Sequence, residues 1–232
     1  MAKMKSPFRC NVRSTAGYPK YPSGKPHGGE DYVPKDKSIE SNWNLSSPCE
    51  GVIYKVRDYG AYGKYTVIIA DNGYWVLMAH QNEQFVKVGQ RVLVGQLIGV
   101  AGWTGNVKPS GAAGRHLHIE VSDMRGVKYS ALTWYNKFKE HRVKPSDYID
   151  FNDYDPSGGF DVKTWKNGST KELVYQTTAD CKARRNPIGS LAPRETADCY
   201  GIVDGFYLLS YKLDGSTAQK CGYVVYSGGV KP

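Results

Sequence analysis

Arg115–Val121, RHLHIEV, is the stretch that decides the fold class. Apolar and polar side chains alternate there with the two-residue period of a half-buried β-strand. Leu117, Ile119 and Val121 fall on one face, and His116, His118 and Glu120 share the other. Working outward, CEGVIYKV, YTVIIAD, YWVLMAH and QRVLVGQLIGVAG, between residues 49 and 102, are further short runs rich in Val, Ile and Tyr. Asp71-Asn72-Gly73 separates two of them with turn chemistry suited to a hairpin. The pattern predicts a mainly β chain with an antiparallel sheet. Helical periodicity is confined to SALTWYNKFKEHR (130–142), where Leu132, Trp134, Tyr135 and Phe138 would form an apolar face.

The 232 residues suit one or two domains. DFNDYDPSGGF (150–160) is acidic, contains Pro and Gly, and has no period, which reads as a linker. The expected division is 1–150, a linker at 151–162, and a second domain at 163–232. In the last of these, LVYQTTADCKARRNP, GFYLLSYKLDG and KCGYVVYSGG look like short strands with turns, enough for a small β-barrel. Five cysteines without CxxC spacing give neither a disulfide framework nor a structural zinc knuckle, and are read as reduced thiols.

Net charge is +9, and residues 1–150 hold 21 Lys/Arg against 13 Asp/Glu. That excess favours polyanionic surroundings such as anionic wall polymers. A nucleic-acid role is set aside, since no basic helix or stacking motif is present. No stretch approaches the roughly 20 apolar residues of a membrane span. The start, MAKMKSPFRCNVRS, is basic and lacks the apolar run of a secretory signal, so the chain is expected in the cytoplasm until release.

The chemistry lies in the histidines. Four of the five fall in HGGED (27–31), MAH (78–80) and HLH (116–118). In a strand, His116 and His118 would sit about 7 Å apart at Cα on one face, close enough to serve one metal or to divide metal binding from proton transfer. Gly28 and Gly29 argue against a helix between His27 and Asp31, and favour a bent or extended backbone that approaches something closely. An imidazole and a carboxylate are donors that zinc accepts readily. His80 ends an apolar run, a position where a histidine is commonly a satisfied strand-end residue; His141 stands apart from all three motifs.

The order HGGED, MAH, VKVGQRVLVGQLIGVAGWTG and HLHIEV resembles the lysostaphin-type zinc endopeptidases, which cut bacterial cell-wall peptides. The likeness covers about residues 15–125 and is most specific from Val86 to Val121. It implies Zn²⁺ held by His27, Asp31 and His118, with His80 and His116 handling protons and charge. Tyr21, six residues before the first ligand, stands where the family often has a tyrosine that supports the transition state. Three protein ligands leave one tetrahedral position open, as in catalytic zinc sites. Two departures, a longer loop at 105–115 and Glu30 in HGGED, are expected to affect which peptide fits.

CKARRNP, DGFYLLSY and CGYVVYS resemble a bacterial SH3-type wall-binding domain over about residues 165–230. Tyr175, Phe206, Tyr207, Tyr211, Tyr223 and Tyr226 are the aromatics that could line its groove. Together the resemblances imply a phage endolysin: a peptidoglycan endopeptidase joined to an anchor for a Gram-positive wall, kept in the host bacterial cytoplasm and then delivered to the cell wall. The alternatives are a secreted bacteriocin or autolysin of the same chemistry, and a non-enzymatic wall-binding module with an inactive site.

Overall fold

A computed structural model describes residues 3–154, 163–203, 205–212 and 219–225. The first part of the chain forms β1 (Met4–Lys5), β2 (Val12–Ala16), β3 (Glu30–Pro34), β4 (Asn44–Ser46), β5 (Gly51–Asp58) and β6 (Lys64–Ala70). These are followed by β7 (Tyr74–Gln84), β8 (Arg91–Val92), β9 (Leu97–Ala101), β10 (Leu117–Asp123), β11 (Arg142–Val143) and β12 (Ile149–Asp150). Ten of the twelve make one sheet with the spine β2-β3-β10-β7-β6-β5-β8, and the pairings given for it are antiparallel.

The alternation read in RHLHIEV is realised in β10. Leu117, Ile119 and Val121 are fully buried in the larger core, beside Val76 and Met78 of β7. The other face of β7, Trp75, Leu77 and Ala79, packs in a second core with Phe138. Apolar residues therefore cover both faces of β7, which is why its run YWVLMA is continuous instead of alternating. Gly73, at φ +86°, takes the left-handed position of the β6–β7 turn, where its missing Cβ removes the steric cost.

The expected helix is shorter than its pattern. α1 is Trp134–Glu140, and residues 131–133 form a turn before it. Phe138 is its buried anchor, but Leu132 points into solvent and belongs to no apolar face. Trp134 packs beside Phe138 against the second core, and Ser122 Oγ donates to the Phe138 carbonyl at 2.8 Å. α2 (Pro145–Tyr148) follows.

The expected linker starts too early. β12 pairs with β1, Phe151 stacks on Tyr32 at 3.7 Å, and Ser6 N donates to the Asp153 carbonyl. Residues 151–153 thus close the first unit, and 155–162 lie outside the described residues.

The rest of the chain forms β13 (Lys163–Lys166), β14 (Glu172–Tyr175), α3 (Thr178–Ala183), β15 (Pro187–Leu191), β16 (Thr196–Val203), β17 (Phe206–Lys212) and β18 (Gln219–Val224). The strands make a six-stranded antiparallel sheet in the order β13-β16-β17-β18-β14-β15. Among the described residues no pairing joins β13 to β15, so a closed barrel is not seen. Where the sequence pattern reads only strands and turns, Thr177 Oγ1 accepts from Asp180 N and starts α3. The Thr177-x-x-Asp180 cap is a helix signal that outweighs the β-rich surroundings.

Tyr175, Tyr207, Tyr211 and Tyr223 are buried in the two cores of this sheet. Phe206 is half-buried, and Tyr226 lies outside the described residues. The sheet leans on the segment that runs from β8 to β9. Tyr223 OH donates to the Arg91 carbonyl at 2.9 Å, Cys221 Sγ lies 3.0 Å from the Leu97 carbonyl, and Leu93 joins a cluster with Tyr175, Cys181, Leu208 and Tyr223. All five cysteines are free thiols, and burial pushes Cys49, Cys181 and Cys221 up to about 12.

Candidate active site

Strand register builds the centre. β10 lies between β3 and β7, with His118 directly opposite Asp31 on one side and Ala79 on the other. His27 enters from the loop before β3. There Lys20 bridges Pro26, Tyr21 N donates to the Lys25 carbonyl, and His27 N donates to the Pro19 carbonyl. Gly29 makes this approach possible: a Cβ there would stand 2.1 Å from the Ile119 carbonyl oxygen. A Cβ at Gly28 would meet Glu120 and Arg142 at 2.7 Å. The close backbone approach expected of HGGED is therefore to β10 and its polar face.

The three donor atoms converge. His118 Nδ1 lies 2.9 Å from Asp31 Oδ1, His27 Nε2 lies 3.2 Å from the same oxygen, and the two ring nitrogens are 3.1 Å apart. Each ring is oriented from behind. His27 Nδ1–H donates to the Gly17 carbonyl at 2.7 Å, which leaves Nε2 as the lone-pair atom. His118 Nε2–H donates to Glu120 Oε1 at 3.0 Å, which leaves Nδ1. Two imidazole lone pairs and a carboxylate oxygen facing one another are favourable only around a cation or a shared proton. Their spacing is close to the roughly 3.3 Å between ligands of a tetrahedral zinc. Two nitrogens and one oxygen on buried side chains fit Zn²⁺. Without the ion, burial opposes charge on His118, but its bonds to Asp31 and Glu120 hold its pKa above the usual value. Burial likewise opposes ionised Asp31, and the two imidazoles overcome it and hold the carboxyl below its ordinary range.

His80 and His116 stand beside this group, with ring centroids 4.7 Å apart. Their Nδ1–H groups donate to the Thr104 and Gly114 carbonyls at 2.8 and 2.7 Å, so each keeps a basic Nε2. His116 Nε2 faces the centre, 3.8 Å from Asp31 Oδ1. His80 sits within β7 at φ +60°, an uncommon conformation for a non-glycine residue, at the point where the strand passes from pairing with β10 to pairing with β9. Such backbone costs about 1–3 kcal/mol and is tolerated where surroundings enforce it. Burial, followed by the nearby His116, pushes the His80 imidazole down to about 4, so it is neutral at pH 7. Tyr21 stacks on His27 at 3.9 Å and remains partly exposed, with its hydroxyl pKa raised by burial and then by Asp31.

All six residues singled out from the sequence therefore gather in one place. His80, His116, Asp31 and Tyr21 open on a cleft of about 710 Å³ walled partly by the 105–115 loop. Glu30 does not reach it. Its carboxylate turns inward to accept from Ser146 N and Oγ and from Tyr32 OH, so it holds α2 to the sheet.

Sequence reading missed the support behind His118. Arg142 donates to Glu120 from Nε at 2.6 Å and from Nη2 at 2.9 Å. Tyr62 OH donates to Glu120 Oε1 at 2.5 Å and accepts from Arg142 Nη2 and Tyr135 OH. Glu120 is almost wholly buried; that opposes its charge, but His118, Arg142 and Tyr62 hold the carboxyl pKa down. The one available signal was Glu120 on the same strand face as His118; Tyr62 and Arg142 are distant in sequence and carry none.

Residues 25–131 match the family model for Peptidase family M23. The match spans 107 of the 232 residues. That family is one of zinc-dependent metallopeptidases, and residues 25–131 are the part of this chain that resembles it. The chain is 33% identical over 107 residues to the peptidoglycan DD-endopeptidase ShyA of Vibrio cholerae, covering 46% of this chain and 22% of that protein. The chain thus spans about a fifth of that relative's length. A zinc-containing peptidase from Vibrio cholerae is 32% identical, covering 52% of this chain and 36% of the other, with a TM-score of 0.43. Lysostaphin from Staphylococcus simulans is 19% identical, covering 93% and 88%, with a TM-score of 0.46. Both structures are similar to this chain at that level and no further.

Proposed function

We propose that the chain is a zinc-dependent endopeptidase that hydrolyses peptide bonds of bacterial peptidoglycan and acts as a phage endolysin. One observation carries this: His27, Asp31 and His118 aim three donor atoms at one point beside an open cleft, with two further imidazoles next to them. Peptidoglycan as substrate draws support from the name of the Vibrio relative and from the match to the M23 family.

When bound, zinc supplies Lewis acidity that brings deprotonation of water and polarisation of a carbonyl within reach of neutral pH. The protein's own part is orientation and proton handling. Gly17 and Glu120 fix the tautomers of His27 and His118. His116 Nε2 faces the centre and is the candidate to take the proton of the attacking water and return it to the leaving amine. His80, neutral at pH 7, presents Nε2 beside it for the same traffic or for holding developing negative charge. Tyr21, stacked on His27 at the cleft, is the candidate to steady the transition state.

In this reading residues 163–232 are an SH3-type anchor for a Gram-positive wall, and the basic first part favours anionic wall polymers. The protein would then act from the host cytoplasm on the wall once released. The test is clearing of purified wall suspensions, abolished by a chelator and restored by Zn²⁺, with mass spectrometry of the released fragments. Clearing that survives chelation rejects the zinc mechanism.

A further inference from the structure

The cleft carries a charge pattern that the catalytic reading leaves unused. Three segments contribute lysines to its lining: Lys25 before His27, Lys37 after β3, and Lys108 in the 105–115 loop. All three are exposed, and among the described residues none has an acidic side chain in salt-bridge range. The fourth basic group of the lining, Arg115, is already matched: Nη1 and Nη2 grip the two oxygens of Glu40 at 2.9 and 2.6 Å, and Nε donates to the Ala101 carbonyl. Asp36, next to Lys37, accepts from Ser38 and does not line the cleft. Among the described residues the one carboxylate in the lining is Asp31, which belongs to the candidate metal-binding group with His27 and His118. The cleft therefore presents three unmatched ammonium groups around a site that a dication makes more positive still. A concave surface lined by one sign of charge concentrates ligands of the other sign.

From this we infer that the substrate is an acidic peptide, one whose residues flanking the scissile bond carry free carboxylates. Within the proposed function, on which this rests, that selects the carboxylate-bearing stem peptides of the wall over a neutral crossbridge. Lys25, Lys37 and Lys108 are specificity-determining residues that meet those carboxylates. A neutral peptide gains nothing from them. An acidic one gains a contribution that salt weakens, because the ammonium groups are solvent-exposed.

The experiment uses the zinc-loaded full chain, purified walls, and a pair of synthetic stem-type peptides that differ only in free or amidated carboxylates. The wild-type protein is expected to cleave the free-acid peptide with the higher kcat/KM, chiefly through KM, and raising the salt from 0.05 to 0.5 M should narrow the difference. Each of Lys25→Gln, Lys37→Gln and Lys108→Gln should raise KM for the acid by about two- to five-fold. The triple variant should bring the acid-to-amide ratio close to one, with an unchanged melting temperature showing that it folds. Equal or better cleavage of the amidated peptide by the wild type overturns this inference and leaves the proposed function standing. If zinc is bound but neither walls nor peptides are cut, the proposed function itself fails, and the inference with it.

Discussion

The two sheets bury different things. The first sheet and the loop before β3 enclose His27, Glu30, Asp31, His80, His118 and Glu120. Among the described residues of the C-terminal sheet, the buried polar side chains are Asn167 and Ser210, set in cores of Trp, Tyr, Leu, Val and Cys. Burying an ionisable group is costly unless partners replace its water. A fold retains so many only where they are fully bonded, and Glu120, with bonds to His118, Arg142 and Tyr62, shows how completely that is done. The contrast is one of filling: ionisable side chains gather inside the first sheet, while the described core of the second is packed with aromatic and aliphatic ones.

The hardest blow to that contrast would be a ligand variant that still works. His118→Ala or Asp31→Ala is expected to lose stoichiometric zinc and to lower peptidase turnover at least about 10³-fold, measured by metal analysis and peptide cleavage. His116→Ala should keep its zinc and lose about 10²–10⁴ in turnover, the usual worth of a general acid–base group. Normal turnover in that variant removes His116 from the mechanism. Glu120→Gln keeps the shape but loses the charge that grips His118 and Arg142, so zinc affinity in a competition titration should fall about 10- to 100-fold.

Acid sharpens the comparison further. The His80 pKa is about 4 in the folded chain, below the roughly 6.5 of a free imidazole, so between these values the unfolded chain binds the extra proton. The stability that His80 contributes is complete above about pH 6.5 and is lost as pH falls toward 4. His80→Asn should show a smaller drop in melting temperature across that window than the wild type. The smallest effect belongs to the second sheet. Tyr223→Phe removes a hydroxyl that donates to the Arg91 carbonyl, and is expected to cost about 1 kcal/mol in denaturant unfolding while kcat on a soluble peptide stays the same.

Much of this was legible before any coordinates. The two-residue period of RHLHIEV placed Leu117, Ile119 and Val121 in the core and His118 with Glu120 on the opposite face, because burial on one side of a strand leaves little freedom of register. The Gly28-Gly29 pair announced a close approach, and Gly29 makes one against Ile119. What escaped depended on tertiary context. The pattern at 130–142 promised four apolar anchors, but only seven residues became helix, and Leu132 found nothing to cover it. α3 was hidden in a β-rich stretch because a two-residue cap, Thr177 with Asp180, outweighs average propensity at a helix start. Glu30 sits one residue from a metal-ligand candidate yet serves Ser146, since adjacent side chains of an extended strand point opposite ways. The tyrosines of the last strands stood as candidates for a groove and, most of them more readily, for the core, because exposed and buried aromatics read the same in sequence.

Leu93 supplies a practical warning for protein engineering. It is an apolar residue in the turn between β8 and β9 whose cover comes from Tyr175, Leu208 and Tyr223, and the neighbouring backbone carbonyls of Arg91 and Leu97 take bonds from the same sheet. Chimeras that replace everything beyond residue 154 would strip that cover and leave a sticky turn with two backbone carbonyls short of a partner. A clean exchange of modules has to redesign residues 91–97 together with the new partner, or carry them along as part of the transplanted piece.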